Sequence, residues 1–254
     1  MNNEVNKRTS KLFKGVNSSL QDSDPEWIDI IANFSQGETV SANKLTEKEQ
    51  MLCILSALIG CQGIGEFQNM LHVALNIGVE PIAIKEMIYQ ATAYLGIGRI
   101  YDFLIKTNEI MKWHGVKLPL APQSTTDETT RFEGGLAKQV TLFGSDMKKR
   151  QTDESHLRCN VNRWLADNCF GDYYTRTGLS DQEREMITFC FIMAQGGCEN
   201  QLRGHTAGNF GVGNDKEKLY SIVEQCMPYI GYPRTLNAMN IIDEVAAKME
   251  SQRK

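Results

Sequence analysis

The chain has no Cys-x-x-Cys pair, no glycine-rich phosphate loop and no long apolar run. Its longest apolar stretch, Met51 to Gly60, falls far short of the roughly 20 residues that a membrane helix needs. No apolar run follows the charged N-terminus, so no secretory signal is expected and a cytoplasmic protein is. Histidine is scarce. The four residues, at 72, 114, 156 and 205, make no i,i+4 pair, and the cysteines lack zinc spacing, so no metal site is expected. Neither sign of charge dominates. Lys plus Arg is 27 against 31 for Asp plus Glu, a net −4, which offers no basic face for nucleic acid. Seven cysteines are an odd number in a chain of 254 residues. They read as reduced thiols rather than a disulfide framework, several of them core residues. Apolar residues at 41% and charged residues at 23% match ordinary globular composition, so a folded chain with a substantial core is expected.

What is present is a repeat. His72-Val-Ala-Leu-Asn-Ile-Gly78 recurs as His205-Thr-Ala-Gly-Asn-Phe-Gly211, 133 residues on. Gln90, Tyr94, Gly96 and Arg99 recur as Gln225, Tyr229, Gly231 and Arg234, and Glu109 as Glu244. Upstream, Leu45-Thr-Glu-Lys-Glu49 recurs as Leu179-Ser-Asp-Gln-Glu183. Repeats of this length indicate two similar structural units.

The local signals in both copies are helical. Thr46 to Glu49 and Ser180 to Glu183 fit the capping box. Each opens an apolar run, Met51–Ile59 and Met186–Ala194, too apolar for a surface helix and so expected at the centre. The His-bearing helices follow, with Gly78 and Gly211 as left-handed ends, Pro81 opening the next helix, and Asn214 as an N-cap in the second copy. No stretch alternates as a strand does. The expected fold is all-α, built as two similar halves. A polar segment (1–24) precedes a first unit (25–116). A linker (117–130) with Pro119 and Pro122 joins it to a second unit (131–254). The Gly134-Gly135 pair weakens the expectation of a helix over 131–143, since each glycine costs about 1 kcal/mol against Ala.

The second half carries Arg131-Phe-Glu-Gly-Gly-Leu, Phe170-Gly-Asp, Arg184-Glu185, Gly197-Cys198-Glu199, Gln201-Leu-Arg203-Gly-His205 and Pro228-Tyr-Ile-Gly-Tyr-Pro-Arg234. Together these motifs resemble the carboxymuconolactone decarboxylase family, within the alkylhydroperoxidase D-like superfamily, and the first half resembles it more faintly. The resemblance implies an all-α fold and oligomers, here a homotrimer of tandem chains forming a pseudo-hexamer. It implies two chemistries: cofactor-free decarboxylation of a lactone acid, and thiol-dependent peroxide reduction through a Cys-x-x-Cys followed by His.

His205 is the leading catalytic candidate, because imidazole exchanges protons near neutral pH. Seven helical residues separate Cys198 from His205, which puts them on nearly one face about 10.5 Å apart, with Gln201 between. Gln201 stands where peroxide-reducing relatives carry their second cysteine. Glu185 resembles the superfamily glutamate of the proton relay. In the first reading, a cofactor-independent lyase acts on a small carboxylated lactone or related acid. Arg203 clamps a carboxylate, His205 with Glu185 or Glu199 moves the proton, and Tyr229 points a donor at the carbonyl oxygen, with Gln201 as a further binding group. In the second, Cys198 at a helix start attacks peroxide, and Cys190, Cys226 or an external thiol resolves it. In the third, the chain is a non-catalytic oligomeric binding protein. The first half is expected to be architectural or a divergent second site of His72, Glu66 and Tyr94. Met51 stands there in place of Glu185, and Cys61 is eleven residues before His72 rather than seven.

Overall fold

The structure is a computed structural model that describes residues 12–13, 16, 20–152 and 157–252. His156 and most of the first 19 residues lie outside the described set. Short helical segments between 20 and 42 lead into nine longer helices. They are α1 (Glu47–Gly60), α2 (Ile64–Asn76), α3 (Pro81–Leu95), α4 (Ile97–Trp113), α5 (Arg131–Phe143), α6 (Asp181–Gln195), α7 (Glu199–Gly211), α8 (Lys216–Ile230) and α9 (Tyr232–Gln252). The described residues contain no strand, and no helix among them is long and apolar enough to cross a membrane. The all-α expectation holds.

Both expected capping boxes form, at Thr46 with Glu49 and at Ser180 with Glu183. The apolar runs behind them put α1 and α6 at the centre. Every residue from Gln50 to Gly60 and from Arg184 to Ala194 is buried. These helices pack on each other where Gly60 meets Ala194. A Cβ at Gly60 would lie 2.8 Å from that of Ala194 and 2.7 Å from the Phe191 carbonyl oxygen, so only glycine fits. One hydrophobic core runs through both halves, from Leu12 to Val245. Leu12 is buried in it, so the N-terminal segment is anchored at that point despite its polar composition.

Residues 165–174 form a π-helical segment that the sequence pattern does not announce. It lies against α5 at backbone distance. A Cβ on Gly135 would collide with the Ala166 carbonyl oxygen, and one on Gly171 with that of Arg131. Gly135, one of the pair that weakened the case for α5, is therefore what its packing requires. Two local expectations shift. The left-handed residue after α7 is Gly213, at φ +91°, rather than Gly211. The N-cap of α8 is Asp215, whose carboxylate accepts from the Lys218 amide at 2.8 Å. Asn214 is used elsewhere, as described next.

Candidate active site

Helix α7 carries His205 onto Glu185 of α6. The two helices are locked at this level by Asn209. Its amide donates to the Glu185 carbonyl (3.0 Å) and to the His205 carbonyl (2.8 Å). Asn214 in turn donates to Asn209 Oδ1 (2.8 Å) and to the Gln182 carbonyl (3.0 Å). Gly208 completes the seat. A Cβ there would collide with Glu185 Oε2 and come within 3.0 Å of the Phe143 ring. In the first half, Leu75 stands in place of Gly208 and Met51 in place of Glu185. The half without the carboxylate thus also lacks the glycine that seats it.

The Glu185 side chain is fully buried, and His205 is 12% exposed. His205 Nδ1 lies 2.9 Å from Glu185 Oε2. The Tyr174 hydroxyl donates to Glu185 Oε1 at 2.9 Å. Tyr94 donates to Tyr174 at 2.9 Å. Thr188 Oγ1 lies 2.8 Å from the Tyr174 hydroxyl and accepts from Gln90 Nε2 at 2.8 Å. Since Tyr174 gives its single proton to Glu185, Thr188 must donate to Tyr174. The Cys169 thiol approaches the Tyr94 hydroxyl at 3.9 Å. Every donor in this network points toward one carboxylate. The phenols keep their protons: burial first, then nearby negative groups including Glu185, pushes Tyr94 and Tyr174 well above the usual phenol range. Burial pushes the Cys169 thiol up to about 12. Tyr94 and Phe143 set their edges or faces against the imidazole at 5.3 and 5.5 Å.

Of the expected catalytic residues, only His205 and Glu185 meet. Cys198 is the N-cap of α7, where its φ of −129° leaves the helical path. It lines a small cleft with Arg234, Leu202 and Ile241, and its sulfur accepts from Gln195 Nε2 at 3.0 Å. The helical projection that put it on the His205 face assumes helical backbone at residue 198. The proposed resolving thiols are also elsewhere: Cys190 and Cys226 are buried in the core with their sulfurs 3.9 Å apart. Glu199 and Gln201 are exposed. Arg203 is engaged by Glu244, 3.0 Å from Nε to each carboxylate oxygen, and by Asn200, not by Glu199.

The tyrosines are exchanged between the halves. Tyr94, expected beside His72, lies against His205. Tyr229, expected beside His205, has its hydroxyl 3.9 Å from Met70 of α2. Burial, then the Glu66 charge, pushes its phenol up. The reason is topological: each half-repeat sends its tyrosine helix, α3 or α8, across the central α1–α6 pair. Tyr174, Thr188, Cys169 and Phe143 join the site without having been singled out, and a tyrosine in a π-helical turn leaves no periodic signal.

The first-half histidine has a different partner. His72 Nδ1 lies 2.9 Å from His114 Nε2, and Trp113 packs edge-on to its ring at 5.0 Å. Burial pushes both histidines down, and for His72 the facing His114 adds to this. The unfolded chain therefore binds more protons here than the folded one. Stability from this pair is full above about pH 6.5, the unfolded value, and is lost as pH falls through the folded values. Melting temperatures between pH 8 and 5 should fall less steeply in H72N/H114N than in the parent chain. Parallel curves would contradict this.

Residues 160–244 match the model of the carboxymuconolactone decarboxylase family. A 4-carboxymuconolactone decarboxylase from Acinetobacter baylyi is 24% identical over 120 residues, which cover 47% of this chain and 89% of that protein. The second half of the chain is thus similar to this family. Its fold is shared with a candidate gamma-carboxymuconolactone decarboxylase subunit from Burkholderia xenovorans, at 18% identity and a TM-score of 0.59 over 97% of each chain. The carboxymuconolactone decarboxylase segment contains Glu185, Tyr174 and His205, whereas Tyr94 comes from outside it. The site as folded is thus assembled from both halves of the chain.

Proposed function

We propose that the chain is a cofactor-independent acid/base enzyme of the decarboxylase or lyase kind, acting on a small carboxylated lactone or a related acid. The observation that carries this reading is the directed network around Glu185. As a carboxylate it accepts from Tyr174 and from His205 Nδ1, so the neutral imidazole holds its proton on Nδ1 and leaves Nε2 as a base. The buried carboxylate also stabilises the imidazolium, so Nε2–H can return a proton. Loss of carbon dioxide from the substrate moves an electron pair toward the substrate's own carbonyl. Nε2 takes the proton of the substrate's carboxylic acid as carbon dioxide leaves, and the imidazolium so formed returns that proton to the resulting carbanionic carbon. Phe143 and Tyr94 pack against this ring. The family relationship supports the substrate class. Arg203, tied to Glu244, is left out of this mechanism.

Gly208→Ala tests the reading. Alanine favours a helix by about 1 kcal/mol over glycine, and the colliding atom is the mobile end of a side chain, so the fold should persist. The carboxylate must leave its seat, however. Decarboxylation of 4-carboxymuconolactone by the parent chain should fall at least about tenfold in kcat in G208A, with the helical fold retained by circular dichroism. Equal kcat values for the two proteins would contradict the role of Glu185.

A further inference from the structure

A second cleft, of about 560 Å³, lies between α3, the last turns of α4 and the linker segment 118–123. Its charge balance is unusual. Lys85 and Arg176 face it, and Lys112 lies at its rim, against one carboxylate, Glu86. That carboxylate is already taken. Arg176 binds both its oxygens at 2.8 to 3.1 Å, and Arg184 reaches it at 3.3 Å from behind. Lys85 is only 8% exposed. Its ammonium has three donors, and its hydrogen-bond acceptor is the neutral Asn108 Oδ1, at 2.8 Å. Among the described residues, no carboxylate lies within ion-pair distance of it. The Tyr89 ring lies beneath it at 5.1 Å and beneath Arg176 at 5.4 Å.

A buried ammonium without a counter-ion is costly, because desolvation is not offset by a partner charge. Burial pushes Lys85 down from its ordinary value, a shift that a bound anion would reverse. The opposite wall is apolar, with Ile82, Leu118, Pro119 and Pro122. We propose that this cleft binds a small organic carboxylate, with its oxygens on Lys85 and its apolar body against the proline-bearing linker. This site is separate from His205, which is not among its lining residues. The inference does not depend on the reaction proposed above.

Benzoate is a suitable probe, titrated calorimetrically into the full chain at low ionic strength, with inorganic phosphate as the anion that lacks an apolar body. Benzoate should bind saturably, one per chain, and phosphate at least about tenfold more weakly. In K85M the benzoate Kd should rise about tenfold or more, the scale of one lost charge-assisted hydrogen bond. N108D keeps the lysine and gives it an internal counter-ion, so it should weaken benzoate similarly even if K85M folds poorly. H205Q should bind benzoate as the parent does, which separates this cleft from the candidate active site. Absence of saturable benzoate binding would overturn the proposal. So would affinities that are equal in the parent and N108D, benzoate binding lost in H205Q, or phosphate binding as tightly as benzoate.

Discussion

On the proposed reaction, assayed with 4-carboxymuconolactone, replacing His205 with glutamine should lower kcat/KM by roughly 10² to 10⁴, the usual contribution of a positioned general acid/base. Replacing His72 in the same way should change it less than about threefold. The two residues occupy matching places in the repeat, so this asymmetry is a strong test. His205 has a fully buried carboxylate on Nδ1, which can fix the tautomer and stabilise the imidazolium. His72 has a second imidazole there, which can do neither, and Met51 stands where the carboxylate would. Steady-state kinetics on both variants, with far-ultraviolet circular dichroism to verify folding, decides the point. Equal losses would mean that the first half carries a working site.

Arg184→Met should destabilise the fold by about 3 to 5 kcal/mol, the scale of leaving several buried acceptors without their donor. Arg184 has no exposed surface. It donates to Gln90 Oε1 (2.6 Å), Glu86 (3.3 Å), the Arg176 carbonyl (2.7 Å) and the Thr177 carbonyl (3.1 Å). Methionine fills part of the volume but leaves these acceptors without their donor. At roughly 2 to 4 °C per kcal/mol for a chain of this size, the midpoint should drop by about 10 °C in a thermal melt. The loss should reach the active site too. Gln90, released from Arg184, also holds Thr188, which orients Tyr174 on Glu185. A change below about 1 kcal/mol would show that the surrounding groups find other partners, and would undercut the network as described.

The helices and the histidine were legible in the sequence for physical reasons. The capping boxes at Thr46 and Ser180 are local, and three residues of spacing determine them. The apolar runs behind them are too continuous for any surface position. His205 stands out because it repeats, and Glu185 because it resembles the superfamily glutamate of the proton relay. What the sequence hides is long-range or irregular. The exchange of Tyr94 and Tyr229 follows from how α3 and α8 cross the central pair, and sequence spacing carries no record of which half a helix packs against. Arg203 looked free to clamp a carboxylate because its partner, Glu244, lies in another helix. Cys198 looked aligned with His205 because a helical projection assumed helical backbone at the capping residue. Gly135 in α5 looked like a weakness because the π-helical segment it accommodates has no period to read.

The central claim is that Glu185 holds the neutral His205 imidazole with its proton on Nδ1 and presents Nε2 to the substrate. Two-bond ¹H–¹⁵N correlation spectra of ¹⁵N-histidine-labelled protein, at a pH where the imidazole is neutral, read this tautomer directly. His205, assigned by its absence in H205Q, should be the Nδ1–H form, and E185Q should shift it toward Nε2–H. An Nε2–H tautomer for His205 in the parent chain would contradict the account, since Nε2 could then not act as the base.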